Sequence, residues 1–301
     1  MNMSPRLLSI VRSSNRRLYS KMSETLVPLP AVEKLSDRVI RVLGGNPSKF
    51  TLQGTNTYIV GTGSKRLLID TGEGKEAWIQ SIKSTLSGHN ITIDKALLSH
   101  WHPDHVQGIP DLLAHCPETQ VFKNHSDGNE DWQDIADGQT FSTEGATLRA
   151  FHCPGHTTDH IAFVLEEEDA MFTADNVLGQ GTAVFEDYAT YMKSLEGMGK
   201  QFSGRAYPGH GPVIDNGPAK VSEYIKHRKQ REQQVLDVLG KDKEGGWKSM
   251  DIVKVIYKDY PKNLWEPAER GVVQILDKLK GEGKVVKSDG GKWSLSGKAS
   301  L

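Results

Sequence analysis

The chain's patterning predicts a mixed fold, α/β or α+β, and three observations carry that expectation. Short apolar runs bounded by turn residues read as strands and dominate the early part of the chain. Strand–helix alternation follows them. The last third then changes character, to helices followed by a short hairpin pattern. With 301 residues, 37% of them hydrophobic, the chain can bury a sizeable core in one large domain plus a small one.

Residues 1–22 stand apart. They hold Arg6, Arg12, Arg16, Arg17 and Lys21, interspersed serines and no Asp or Glu. An Arg-rich, Ser-rich, acid-poor segment predicts a mitochondrial transit segment and a matrix location, with Met22 as the start of a shorter cytoplasmic form. The catalytic body is read as 23–219, and a helical linker with a terminal domain as 220–301. Strands are expected over 38–43, 57–61 and 66–69, with Gly54 and Asn56 suited to a turn before the second. Ala77, Ile79, Ile82 and Leu86 repeat at near-helical spacing and predict a helix over 76–86. Further strands are expected over 97–99, 120–122, 146–150, 161–165 and 170–173, and helices over 187–202 and 221–239. A charged, glycine-ended linker spans 241–246. Ser249 is placed to cap a helix running to 257, and Glu266-Pro267-Ala268-Glu269 opens another that Gly281 and Gly283 stop. Residues 284–287 and 292–295 pair across a glycine turn. No apolar run approaches the roughly 18 residues of a membrane span. Cys116 and Cys153, the two cysteines, offer no disulfide framework and suggest a reducing interior.

The chemistry is concentrated in Ser99-His100-Trp101-His102-Pro103-Asp104-His105. Three imidazoles and a carboxylate within six positions suit Zn²⁺, which prefers nitrogen and accepts carboxylate oxygen. His100 and His102, two apart, can point to one side of an extended backbone, and Pro103 then turns Asp104 and His105 into a new element. One segment could therefore feed two metals. Three more clusters follow strand-like or turn-rich stretches: Cys153-Pro154-Gly155-His156, Thr173-Ala174-Asp175-Asn176 and Tyr207-Pro208-Gly209-His210-Gly211.

In this order the chain resembles the metallo-β-lactamase superfamily, whose signature is HxHxDH, a distal His, an Asp and a last His. The resemblance implies an αβ/βα sandwich with the site at one edge between two sheets. It implies one metal on His100, His102 and His156, a second on Asp104, His105 and His210, and Asp175 bridging them. Asp70, at another strand end, would orient a ligand His. Two divalent ions are the implied cofactors, Zn²⁺ first, with Mn²⁺ and Fe²⁺ also compatible with the donors. Two such ions about 3.5–4 Å apart lower the pKa of a shared water towards neutrality, and the hydroxide is then a nucleophile. Hydrolysis of an ester-like bond is the implied reaction, with Asp104 also able to accept the water's proton.

Charge divides the chain. Residues 23–219 carry 14 basic and 26 acidic side chains, and 220–301 carry 18 and 12. An acidic body repels a polyanion except near bound metals, whereas a basic tail attracts one. The tail's order of elements resembles a winged-helix domain. Three stretches narrow the resemblance further: Phe50-Thr51-Leu52-Gln53-Gly54-Thr55-Asn56-Thr57-Tyr58, residues 178–187, and His227-Arg228-Lys229-Gln230-Arg231-Glu232-Gln233-Gln234. With them the chain resembles the mitochondrial β-lactamase-like endoribonucleases. This implies cleavage of single-stranded RNA by in-line attack of a metal-bound hydroxide. His160 would then be a leaving-group acid or phosphate contact, and Arg228, Lys229 and Arg231 would attract phosphates. The same motifs occur in fungal thioesterase-like enzymes that release polyketides from carrier proteins, so the alternative expectation is a carrier-protein thioesterase. A non-catalytic RNA-binding protein with a structural metal is disfavoured, because structural zinc sites are usually closed and mononuclear.

Overall fold

The computed structural model describes residues 26–124, 131–241 and 245–297. The transit-like segment at 1–22 and part of the 241–246 linker lie outside the described residues. Among the described residues, two large sheets face one another. The first has strands in chain order: β1 (Val32–Lys34), β2 (Val39–Leu43), β3 (Asn56–Val60), β4 (Lys65–Ile69), β5 (Thr92–Leu98), β6 (Gln120–Lys123) and β7 (Trp132–Asp134). It is antiparallel from β1 to β4 and parallel from β4 to β7. The parallel step from β4 to β5 needs a crossover, which α1 (Glu76–His89) supplies. The second sheet holds β8 (Thr140–Thr143), β9 (Ala146–His152), β10 (Ile161–Leu165), β11 (Ala170–Ala174) and β12 (Ala206–Pro208), ordered β12-β11-β10-β9-β8.

Period-two alternation builds the layers. Val39, Tyr58, Val60, Leu67, Ile69 and Leu97 point inward and pack on Leu148, Ile161, Phe163 and Phe172 of the second sheet. Their neighbours Ile40, Val42, Ile59, Leu68 and Leu98 point outward and pack on Trp78, Ile79, Ile82 and Leu86 of α1. The outer face of the second sheet, with Ala162, Val164 and Met171, is covered by α4 (Tyr188–Met198) and α5 (Gly217–Leu239). Strands buried on both faces read as continuous apolar runs, which is why β2, β4, β10 and β11 were visible in sequence. The αβ/βα sandwich is therefore the observed architecture.

Differences from expectation are local. Helix α1 continues to His89 because Asn90 closes it in the left-handed conformation (φ 52°), its N–H bonding back to Leu86 and Ser87 carbonyls. Strand β5 begins at Thr92, since its polar first half hides the pattern. β1, β7 and β12 are three residues long and β8 is four, too short to show a period. Helix α4 ends at Met198, short of 202. In the tail, α6 (Ser249–Ile256), α7 (Trp265–Gly281) and a hairpin of β13 (Val285–Lys287) and β14 (Trp293–Leu295) form the winged-helix unit. Ser249 does not cap α6; its hydroxyl donates to Glu269 of α7 at 2.6 Å, tying the two helices. Val272, Ile275, Leu276, Val285 and Trp293 join the same apolar cluster as α4 and α5. No helix among the described residues is long and apolar enough to cross a membrane.

Candidate metal centre

The site assembles where strands of both sheets end. Asp70 follows β4, and the segment from Ser99 to His105 follows β5, with α2 (Pro103–Val106) turning Asp104 and His105 away from His102. His156 and His160 lie between β9 and β10, Asp175 follows β11 and His210 follows β12. The sheets are stitched here: Ile161 N–H donates to the Ser99 carbonyl at 2.8 Å, and Asn56 N–H to the Gly209 carbonyl at 2.7 Å. Asp70 (φ 58°) and Ala174 (φ 42°) both take left-handed backbone conformations at these strand ends, a strain common where a site dictates the chain path.

Two groups of donors form. His100, His102, His156 and Asp175 offer atoms within 4.8 Å of one another, and so do Asp104, His105 and His210. His102 Nδ1 lies 3.0 Å from His100 Nε2 and 3.1 Å from His156 Nε2. Asp175 Oδ2 stands 3.6 Å from His156 Nε2 and 3.3 Å from His210 Nε2, and its Oδ1 stands 3.5 Å from His105 Nε2. Asp104 Oδ2 is 3.3 Å from His210 Nε2 and 3.4 Å from His105 Nε2. Ligands about 2.0–2.2 Å from one tetrahedral ion stand about 3.3–3.6 Å apart, close to this spacing. His105 Nε2 and Asp175 Oδ1 are also buried with no hydrogen-bond partner, an expensive state for bare polar atoms. The donor set fits divalent metal ions, and Asp175 is the residue that reaches both groups.

Outer contacts aim the rings. Asp70 accepts from Ser99 N–H and Oγ–H, both at 2.8 Å, and from His105 Nδ1–H at 2.7 Å. With its proton on Asp70, Ser99 Oγ accepts from His100 Nδ1–H at 2.9 Å. His156 Nδ1–H donates to the Val184 carbonyl at 2.9 Å. Each bond leaves Nε2 with its lone pair towards the centre. Thr55 Oγ1 donates to Asp104 Oδ2 at 2.9 Å, and Asn56 Nδ2 donates to the carbonyls of Pro208 and Gly211, each at 2.9 Å. The 50–58 stretch thus grips two ligand segments. Sequence reasoning missed Thr55, Asn56 and Val184 as site residues. Two polar residues opening a buried strand were the available signal; a carbonyl leaves none.

Electrostatics divide the groups as the geometry does. Burial, then the neighbouring imidazoles, hold His100 well below the ordinary histidine range and bring His102 to about 4. Burial opposes charge at His105 and His210 too, but the facing carboxylates win. Asp70, Asp175 and Asp104 lift His105, and Asp175 lifts His210 to about 9. Asp104 and Asp175 stay ionised against burial because His105 and His210 face them.

The other sequence-predicted residues lie elsewhere. His160 is fully buried behind the donors. Its Nε2 accepts from Asp175 N–H at 3.2 Å, and its Nδ1 meets Cys153 Sγ at 3.3 Å and Asn176 Nδ2 at 3.2 Å. Burial holds the ring neutral. With Nε2 accepting, the ring's one proton sits on Nδ1 and faces Cys153 in the interior, away from the donor groups; His160 supports the Asp175 backbone. Cys153 is buried and its thiol is pushed up to about 12. Arg228 donates to the Ala183 carbonyl at 2.6 Å, Lys229 pairs with Glu196 at 3.2 Å, and Arg231 lies 4.3 Å from the Tyr257 ring centre. Each of the three has a partner on the protein, Lys229 in an exposed ion pair, a correction to their reading as a phosphate-attracting run.

Comparison with known proteins places these features. Residues 50–221 match the family model of the metallo-beta-lactamase superfamily, and 249–293 match that of the beta-lactamase associated winged helix domain. The chain is 46% identical over 269 residues to the lactamase-like protein nscB of Arthroderma gypseum, covering 85% of each chain. It is 45% identical over 268 residues to the atrochrysone carboxyl ACP thioesterase of Aspergillus chevalieri, covering 86% of each. A crystal structure of a beta-lactamase domain protein from Burkholderia ambifaria shares the fold, with a TM-score of 0.74 at 15% identity over 91% of this chain and 96% of that one. The relatives at 44–48% identity are named as thioesterases or lactamase-like proteins. That overturns the endoribonuclease expectation, together with its single-stranded RNA partner, its RNA-binding tail and its mitochondrial setting.

Proposed function

The chain belongs to the metallo-β-lactamase superfamily of hydrolases, and on that premise we propose that it is a thioesterase that frees an acyl or polyketide product from a carrier protein. The observation that carries this is 45% identity, over 86% of both chains, to a protein named as an ACP thioesterase, in a chain that brings the whole donor set together. Two further features support it. The body is acidic, which opposes a polyanionic substrate more than an acyl one. Large apolar side chains are also exposed on the segments that carry or support the donors: Trp101 between two donors, Val184 on the loop that holds His156, and Phe50 five residues before Thr55.

Two divalent ions, Zn²⁺ first, are the cofactors we assign: His100, His102 and His156 would hold one and Asp104, His105 and His210 the other, with Asp175 in reach of both groups. Bound there, such ions acidify water and draw charge from a carbonyl oxygen. The chain's own residues prepare the rest. Asp70 sets two imidazoles in the donor tautomer, His105 directly and His100 through Ser99. Thr55 holds one oxygen of Asp104, and that carboxylate, kept ionised, is positioned to accept a proton from water. Trp101, Val184 and Phe50 offer the acyl group an apolar surface. Water's oxygen joins the thioester carbon, the carbon–sulfur bond breaks, and the carrier's thiol departs with a proton.

The test is hydrolysis of an acyl group linked through a thioester to an acyl carrier protein, by the full chain supplied with Zn²⁺. The Asp104→Asn and His105→Ala variants are expected to lose at least about 100-fold in kcat/KM. Absent turnover by the parent, or equal turnover by the variants, would refute the assignment.

A further inference from the structure

The loop between β11 and α4 touches both donor groups. It begins at Asp175. Its Gly179 N–H donates to the His210 carbonyl at 2.9 Å, and its Val184 carbonyl accepts from His156 Nδ1–H at 2.9 Å. Among described residues this loop carries no helix or strand of its own, so its shape depends on what holds it. The Val184 side chain is 67% exposed and cannot anchor the peptide by packing.

The C-terminal helices hold it from outside. Tyr224 of α5 accepts from Leu178 N–H at 3.1 Å and donates to the Gly181 carbonyl at 3.0 Å. Arg228, about one turn on, donates to the Ala183 carbonyl at 2.6 Å. Its guanidinium lies 4.8 Å from the Phe185 ring centre and 5.6 Å from that of Tyr191. Gln274 of α7 donates to the Phe185 carbonyl at 3.4 Å. The carbonyls on either side of Val184 are therefore both held by side chains of the C-terminal region. With its neighbours restrained, the Val184 carbonyl keeps its aim on His156.

We infer that the C-terminal region, α5 together with the winged helix packed on it, is a brace for the metal centre, and that Arg228 and Gln274 are positioning residues that set the His156 ring through the Val184 carbonyl. The inference rests on the proposed ligand role of His156. When the brace is loosened, His156 Nδ1–H loses its acceptor and Nε2 no longer holds its lone pair towards His102. The Asp104, His105 and His210 group keeps its own supports, Asp70 and Thr55, and its loop contact at Gly179 lies in the part that Tyr224 holds, not Arg228 or Gln274. Arg228, one basic residue of the C-terminal region, thus serves the active site from within the fold.

The test uses the full chain with Arg228→Leu, Arg228→Lys, Gln274→Ala and a control, Lys278→Gln. Lys278 pairs with Glu232 at 2.7 Å between α7 and α5 but does not touch the loop. Zn²⁺ affinity is measured by competition with a chromophoric chelator, resolving the two equivalents. The His156 tautomer is read by nitrogen-15 NMR in metal-free protein. Arg228→Leu and Gln274→Ala are expected to weaken one equivalent about tenfold or more and to mix the His156 tautomers, with partial recovery in Arg228→Lys. Lys278→Gln is expected to lower stability and leave both readouts unchanged. Parallel weakening of both equivalents, the same profile in the control, or an unmoved tautomer would overturn the brace. A tautomer that shifts in the Arg228 and Gln274 variants, while the parent binds no Zn²⁺, would uphold the brace and refute the metal assignment, so the two failures are distinguishable.

Discussion

Asp70 accepts three hydrogen bonds, reaching His105 directly and His100 through Ser99. Exchanging one of its oxygens for an amide replaces an acceptor with a donor that faces another donor. Asp70→Asn is therefore expected to weaken Zn²⁺ binding about 10–100-fold with the ligands themselves intact, by chelator competition. Protons and metal compete at the same atoms. His210, lifted to about 9 by Asp175 against the opposing effect of burial, is protonated at pH 7 in the metal-free protein, and the raised His105 is as well. Zn²⁺ binding must displace those protons. Apparent affinity should rise with pH up to about 9 and fall below it, with proton release visible by calorimetry in buffers of different ionisation heat. A pH-independent affinity between 6 and 9 would contradict this. Cys153 illustrates the opposite limit: a buried thiol pushed up to about 12 should resist alkylation in the folded chain at pH 8.

Elements position these residues by their ends. The β9–β10 connection reaches His156 through Gly155, whose φ of 131° suits glycine, and a Cβ there would collide with the Tyr191 backbone of α4. Gly155→Ala is expected to cost about 2–3 kcal/mol, read as a lower urea midpoint, because neither backbone can yield. Strand legibility followed burial. β10 and β11, buried at every position, were read within one residue of their ends, whereas β7, Trp-Gln-Asp, lies at a sheet edge and shows no pattern. Ser249 teaches a related lesson: its residue type suited a cap, but Glu269, 20 residues further on in α7, offered its hydroxyl a carboxylate instead.

The two sheets and the tail act as one body. Lys123 at the end of β6 pairs with Asp159 before β10 at 2.7 Å, with side chains 2% and 5% exposed, a buried bond between the sheets close to His160. Lys123→Met strands that carboxylate in the interior and is expected to cost about 3–5 kcal/mol in urea unfolding. Stripping divalent metal with a chelator should lower the thermal midpoint, since a ligand at 100 times its Kd contributes about 2.7 kcal/mol. Because one apolar cluster runs from β10 and β11 through α4 and α5 into the winged helix, the tail should melt together with the body.

The metal-donor chemistry was legible from the chain alone because it is a matter of residue type and order. His100, His102, Asp104 and His105 sit in one segment, and each later donor follows a strand or turn that its neighbours announce. The double apolar periodicity of the strands likewise declared a sheet covered on both faces. Tertiary contacts settled what each side chain is for. Thr55 meets Asp104 across 49 residues, Val184 meets His156 across 28, and Arg228 meets Ala183 across 45. His160, four residues after His156, was a candidate for a leaving-group acid or phosphate contact or else a hydrogen-bonded His in the strand, and the fold turned it inward beneath Asp175. A run of Arg and Lys on α5 looked like a phosphate surface until Glu196, Tyr257 and the loop carbonyls met it. Hydrogen bonds and ion pairs act over about 3 Å in space, so their partners are chosen by packing, and separation along the chain carries no record of that choice.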